Sequence, residues 1–246
     1  MPAPRTQFPV LILSLGVPRS GTILVFNILR EILERRRIGH KAVNLNYPET
    51  AAFFERYDFN RRTVVHAHNV LPPVQKALTR RDVVAFFNYR DPRDVLVSMM
   101  RLHDCSFEKA LELTETSFQQ FRVARKFRRV TFIPYEHLTG HTDAFIFQIA
   151  QRLGIFLGLD TVAEIGAATS LETHTKIMHD VAEEAVDVQV RRNPHRVLKE
   201  SRRHFINDRH IQSGRSGRWR DELTEARQQA ACERFRPLLE ELGMAS

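Results

Sequence analysis

The sequence predicts an α/β fold, a three-layer sandwich with a central parallel sheet of about five strands and helices on both faces. Three observations lead there. Short apolar runs alternate with stretches of helical periodicity between residues 11 and 153. The run 11–16, LILSLG, passes through a tight turn into the periodic apolar stretch 23–29. The run 82–90, DVVAFFNYR, passes in the same way into 95–102. A strand feeding directly into a helix, twice, calls for parallel strands joined by crossover helices.

Pro18, Ser20 and Gly21 break the first run. Gly16 and Gly21 have the spacing of a G-x-x-x-x-G-K-[ST] phosphate loop. In that pattern Thr22 stands at the lysine position and Ile23 at the magnesium-binding hydroxyl, and an isoleucine cannot ligate a metal. Arg19 sits inside the loop instead, flanked by the hydroxyls of Ser20 and Thr22. Backbone N–H groups and the helix dipole converge at such a turn. The loop is therefore P-loop-like, but suited to a phosphate or sulfate without a metal. The helix that follows ends in Arg35–Arg37, with Gly39 expected as its cap.

Residues 41–47 alternate Val43, Leu45 and Tyr47 and read as a strand, 48–57 as a short helix, 62–68 as a strand. His66 and His68 lie two apart, on one face, at that strand's C-terminal end. Ligands bind at this edge of open parallel sheets. The two read as structural histidines, as half of a metal site lacking a recognisable third ligand, or as the source of a general base beside the anion loop. The run 82–90 is apolar enough to be buried on both faces. Pro92 fits the first position of the next helix and Asp94 its first turn. Arg90 then closes the strand, and Ser98 lies eight residues later on the helix. Arg90 and Arg93 either pair with Asp91 and Asp94 or face a second anion. Residues 106–127 form a long amphipathic helix, 129–135 a fifth strand and 142–153 a further helix. Residues 160–200 read as less regular helix, 201–220 as a loop and 221–242 as a closing helix.

Composition bounds the function. With 246 residues and 43% hydrophobic content the chain can bury a core, as a single domain over 1–246. Cys105 and Cys232 make neither a disulfide framework nor a metal motif. The N-terminal apolar run is too short for a membrane span or a secretory signal, so a soluble, cytoplasmic protein is expected. The net charge of +8 is local. Residues 191–220 hold ten Arg or Lys and two acids, which leaves the rest of the chain neutral. This segment reads as lid-like: its like charges repel until an anion arrives, and its few apolar residues cannot order it by burial.

Five motifs in order carry a resemblance. Pro18-Arg19-Ser20-Gly21-Thr22 resembles the 5′-phosphosulfate loop of sulfotransferases that use 3′-phosphoadenosine-5′-phosphosulfate (PAPS), in the form familiar from bacterial-type members. Residues 90–98, RDPRDVLVS, resemble their 3′-phosphate motif, with Arg and Ser eight apart. His68, ahead of an apolar-proline stretch, is similar to their catalytic histidine. Tyr135-Glu136 resembles the motif near the nucleotide base, and Gly214-x-x-Gly217-x-Trp219-Arg220 the glycine loop over the 3′-phosphate. The sequence also departs from the pattern. Arg19 replaces the lysine of most cytosolic members, and arginine can stabilise charge but not donate a proton. Leu24 stands where the adenine-stacking tryptophan is expected, with Phe26 as the candidate substitute. Gln212-Ser213 replaces Arg-Lys before the glycine loop, with Arg215 or Arg209 as candidates to make up the contact.

The resemblance implies PAPS as co-substrate, no metal, and in-line sulfuryl transfer to a hydroxyl or amine. It implies His68 as base and Arg19 as clamp on the 5′-phosphosulfate. Pro18, Gly21 and the Ser20 and Thr22 hydroxyls complete the loop. Arg90, Ser98, Gly214 and Arg215 are implied at the 3′-phosphate, and Tyr135 near the base. The acceptor is a small molecule or glycan, and the arginines of 191–220 suit an anionic one. Two other readings compete. A nucleotide-dependent kinase would need the missing lysine and metal ligand. A non-catalytic anion- or nucleic-acid-binding protein would use residues 191–220, which offer only Phe205 and Trp219 for base stacking. It would also leave both arginine loops unexplained.

Overall fold

The structure, a computed structural model, describes residues 8–140, 142–193, 196–207, 211 and 214–244; at 140, 191–193, 196 and 197 only the backbone is described. The chain begins with strand β1 (Leu11–Gly16), helix α1 (Thr22–Arg35), β2 (Lys41–Asn44) and α2 (Tyr47–Arg56). Next come β3 (Thr63–Ala67), α3 (Pro72–Leu78), β4 (Val83–Tyr89), α4 (Pro92–His103) and α5 (Phe107–Ala124). Then follow β5 (Val130–Pro134), α6 (Tyr135–Gly140), α7 (Thr142–Arg152), α8 (Leu159–Ala168) and α9 (Leu171–Ala182). A hairpin of β6 (Val188–Asn193) and β7 (Arg196–Ser201) precedes α10 (Trp219–Glu222) and α11 (Glu225–Leu242).

The five strands β1–β5 form one parallel sheet in the order β2-β3-β1-β4-β5. Their period-two alternation sends side chains to two separate cores. Leu11, Leu13 and Leu15 of β1 pack with α4, α5 and α11, while Ile12 packs with α1, α7 and α8. Each fully buried aliphatic or aromatic side chain contributes roughly 1.5–3 kcal/mol, so both faces must stay covered.

Three elements differ from those the sequence predicts. Residues 188–201 are not helical but form the antiparallel β6–β7 hairpin, with Val188 opposite Ser201 and Asn193 opposite Arg196. The lid-like segment 191–220 is therefore structured over its first part. The end of the chain is two helices, broken at Leu223 and Thr224. Gly39 does not cap α1; the helix ends at Arg36, and Arg37 takes the left-handed turn (φ 53°). Among the described residues, no helix is long and apolar enough to cross a membrane.

Candidate active site

The strand order builds the site. β1 lies between β3 and β4, and the chain leaves their carboxyl ends in different directions, which opens a crevice there. A cavity of about 890 Å³ sits in it. Pro18, Arg19, Gly21, Thr22, His68, Arg90, Ser98, Tyr135, Gly214 and Arg215 line this cavity, and Ser20 does not.

The first loop is fixed by backbone geometry. Gly21 precedes α1 with φ 81°, a left-handed conformation that a side chain strains. A Cβ there would also lie 2.8 Å from Leu138 Cδ1. No side chain caps the helix, whose first turn borders the crevice, an arrangement that suits an anion. Ser20 differs from expectation. Its hydroxyl donates to the carbonyls of Val17 (2.6 Å) and Asn88 (3.0 Å), and it is fully buried. It shapes the loop and ties it to β4 instead of reaching an anion.

Two arginines converge beside this cradle. Arg19, itself left-handed (φ 69°), donates through Nε to Ser98 Oγ at 2.8 Å, so the first and second loops touch. Arg90 donates through Nη2 to the Arg215 carbonyl (2.6 Å) and, at 3.4 Å, to Asp94 Oδ2. Its guanidinium lies 4.2 Å over the Tyr135 ring. Burial, and then the charge of Arg90, lower the Arg19 pKa to about 10. Arg90 Nε is buried and has no hydrogen-bond partner among the described residues. A half-buried Arg19, a buried Arg90 and its unpartnered N–H are what an anionic ligand would relieve. Arg93 is different. It pairs with Asp91 (2.8 Å) and lies 4.2 Å over the Trp219 ring, so its role is structural.

The glycine loop docks on the second loop through Asp94, which the sequence places in the first turn of a helix and as a possible partner of Arg90 or Arg93. Its carboxylate is fully buried and accepts from Gly217 N (2.7 Å) and Trp219 N (3.2 Å). Tyr135 Oη donates to the Gly214 carbonyl at 2.9 Å. Gly214 has φ 66°, and a Cβ would lie 2.6 Å from Leu171 Cδ2. Arg215 offers the site its carbonyl, while its side chain pairs with Asp221. Arg218 was not singled out, yet it is buried, lines the cavity and pairs with Glu222 at 2.5 Å. Gln212, Ser213 and Arg209 lie outside the described residues, as do the side chains of Arg191, Arg192 and Arg196.

The two histidines separate by their partners. His68 Nδ1 lies 2.9 Å from the Gly16 carbonyl. A carbonyl only accepts, so Nδ1 carries the proton and the lone pair sits on Nε2. His66 is buried, with Nδ1 2.7 Å from Asn44 Oδ1 and Nε2 3.0 Å from Thr22 Oγ1; its ring centroid is 4.8 Å from that of His68. Beyond Asn44 lies Glu200 of the hairpin, also buried. The turn after the hairpin is held to α1: Asn27 Nδ2 donates to the His204 carbonyl at 3.0 Å, and Arg30 to that of Arg203.

Elsewhere on the wall, α9 contributes His174, which sequence reading missed. It is buried, its Nε2 has no partner among the described residues, and burial followed by the charge of His204 lowers its pKa to about 4. Leu24 lines the cavity, whereas Phe26 is turned into the core against Phe205 and His66, so it does not replace the missing tryptophan. Among the described residues no group of three or more His, Cys, Asp or Glu could hold a metal ion.

The sulfotransferase domain family model matches residues 9–243. No curated protein matches in sequence. Among solved structures, mouse sulfotransferase SULT7A1 complexed with PAP (3′-phosphoadenosine-5′-phosphate) is similar, with a TM-score of 0.68 and 18% identity over 95% of this chain and 84% of that one. Retinol dehydratase is similar as well. In complex with androsterone and PAP it gives 0.66 and 16% identity over 95% of this chain and 81% of that one. In complex with retinol and PAP it gives 0.65 and 16%, over 95% and 82%. At these identities the structural likeness shows the fold.

Proposed function

This chain belongs to the sulfotransferase family, and on that premise we propose that it transfers a sulfuryl group from PAPS to a hydroxyl or amine of a small acceptor. The observation that carries the reading is the convergence of Arg19 and Arg90: two cations from different loops, beside an uncapped helix start, with one Arg90 N–H lacking a partner among the described residues. A ligand with two separated anionic groups satisfies both. Arg19 and the first N–H groups of α1 hold the 5′-phosphosulfate. Arg90 and Ser98 hold the 3′-phosphate, under a glycine loop tied down by Asp94 and Tyr135. The carbonyl of Gly16 fixes the His68 tautomer, so Nε2 takes the proton from the acceptor as it attacks sulfur. When bound, PAPS supplies the sulfuryl group and the leaving phosphate. The protein supplies position and charge stabilisation.

The acceptor side is lined by Asn44, Asn46, His103, Glu200 and Asn207, interrupted by Leu45, Leu102, Leu198 and Ile211. This wall supports a hydroxyl-rich acceptor, a glycan fragment for example, over a wholly apolar one. The donor reading is tested by thermal shift with PAP and with Mg-ATP, each with and without EDTA. PAP stabilises the protein equally with and without EDTA, and Arg90→Ala weakens PAP far more than its 3′-dephosphorylated analogue. A larger shift with Mg-ATP overturns the assignment.

A further inference from the structure

We propose that Glu200 is a positioning residue for the donor loop, acting through Asn44 and His66 on Thr22. The inference rests on reading the loop at residues 17–22 as the donor site, but its own links are geometric. Glu200 lies on β7, 2% exposed, 156 residues away from Asn44 in sequence. Its Oε2 accepts from Asn44 Nδ2 at 3.0 Å, and its Oε1 from Gln189 Nε2 at 3.0 Å.

Each link sets the direction of the next. Both Glu200 oxygens accept from amide NH₂ groups, so the Asn44 amide turns its NH₂ toward Glu200 and its oxygen toward His66. That oxygen only accepts, so His66 carries its proton on Nδ1, 2.7 Å away. The His66 lone pair then sits on Nε2 and receives the Thr22 hydroxyl at 3.0 Å. The other branch of Thr22, Cγ2, packs over Gly16, where an added Cβ would lie only 2.5 Å from it. Thr22 is the first residue of α1. Its side chain is thus held on both sides, and with it the opening turn of the helix whose N–H groups form the anion cradle. Register supports the arrangement: Asn44 pairs with His66 across β2 and β3, and His66 pairs with Ser14 across β3 and β1. Asn44 and Gln189, which bond Glu200, both lie outside the loop. Glu200 sets the loop's geometry from the acceptor-side wall.

The test uses the full chain and PAP. Long-range ¹H–¹⁵N spectra of the ligand-free protein read the His66 tautomer. The wild type shows the Nδ1–H form, Asn44→Ala moves it to Nε2–H, and Glu200→Ala gives a measurable Nε2–H population because Asn44 is then free to turn over. Calorimetry reads PAP affinity. Asn44→Ala and Glu200→Ala each weaken it about 3- to 10-fold, the loss of one ordinary hydrogen bond. The double variant is no weaker than the worse single one, because both act along one chain. Glu200→Gln keeps the size of the side chain and the fold of the hairpin, and weakens PAP less than Glu200→Ala. Additive losses, an unchanged PAP affinity, or a His66 tautomer that stays Nδ1–H in both alanine variants overturns the proposal. A wild type that does not bind PAP overturns the donor reading instead, and the tautomer still decides the chain of hydrogen bonds.

Discussion

Asp94→Ala is expected to release the glycine loop. The Asp94 carboxylate is fully buried and accepts two backbone N–H bonds, from Gly217 at 2.7 Å and Trp219 at 3.2 Å, besides its 3.4 Å contact with Arg90. Alanine leaves both donors without an acceptor. A buried donor without a partner costs about 1–3 kcal/mol, so a loop that stayed docked would carry about 2–6 kcal/mol of strain. The loop escapes that cost by opening to water. It takes with it Trp219, which is stacked 4.2 Å from the Arg93 guanidinium and 4.3 Å from that of Arg220. Asp94→Asn retains one acceptor oxygen and loses about half as much, roughly 1–3 kcal/mol. Hydrogen exchange resolved at Gly217 and Trp219 is the direct assay. A loss of about 2 kcal/mol accelerates exchange roughly 30-fold, and the asparagine variant falls between. PAP affinity drops in the same order, because the glycine loop is no longer held over the site. Exchange at both amides within about threefold of wild type in Asp94→Ala would refute the reasoning, since it would mean that other contacts hold the loop.

Two further predictions concern histidines. His68→Ala leaves PAP affinity nearly intact and lowers turnover about 10²- to 10⁴-fold, whereas His66→Ala costs far less turnover and weakens PAP instead; steady-state kinetics with calorimetry separates them, and the reverse pattern sinks the base assignment. His174 carries a pH signature. Its folded pKa, about 4, lies below the ordinary 6.5, so the unfolded chain binds the proton more tightly. Stability is therefore full above about pH 6.5 and falls as the pH drops toward 4, by on the order of 3 kcal/mol. Urea midpoints at pH 7 and pH 4.5 should show a smaller drop for His174→Leu than for wild type, and equal drops contradict the assignment.

The parts of the site that lie within a few residues of one another were legible in the sequence. Arg19 between Gly16 and Gly21, and Arg90 with Ser98 eight residues on, are single strand–turn–helix units. Their spacing announces the chemistry wherever the sheet places them. The strand at 82–90 was legible because a continuous apolar run buried on both faces has few other readings. The hairpin was not. Its strands, VQVRRN and RVLKES, are short and dense in charge, so the alternation of Val188 and Val190 is drowned by arginines. Glu200 was counted as one of two acids among ten bases, and nothing near it in sequence names its partner Asn44. Ser20 and Phe26 were misread because residue type was legible but side-chain direction was not. The serine hydroxyl turned to two carbonyls, and the ring turned into the core. Asp94 illustrates a different limit: a first-turn acid is ordinary at a helix start, and only the arrival of Gly217 and Trp219 makes it a clasp.

The ties that complete the site share one property: they join early chain to late chain. Asn27 reaches His204 across 177 residues, Arg90 reaches Arg215 across 125, and Asp94 reaches Gly217 across 123. The four strands β1–β4 and their crossover helices, by contrast, are complete by Tyr89. Contacts of long sequence separation form late, because loop closure must be paid before they return anything. During synthesis the first four strands and the loop at 17–22 therefore emerge before the segment that lines the other side of the crevice. A chain that stops short of Arg196 would lack the Glu200 wall and the Asp94 clasp, and with them α11, whose Phe235 and Leu239 cover one face of the sheet.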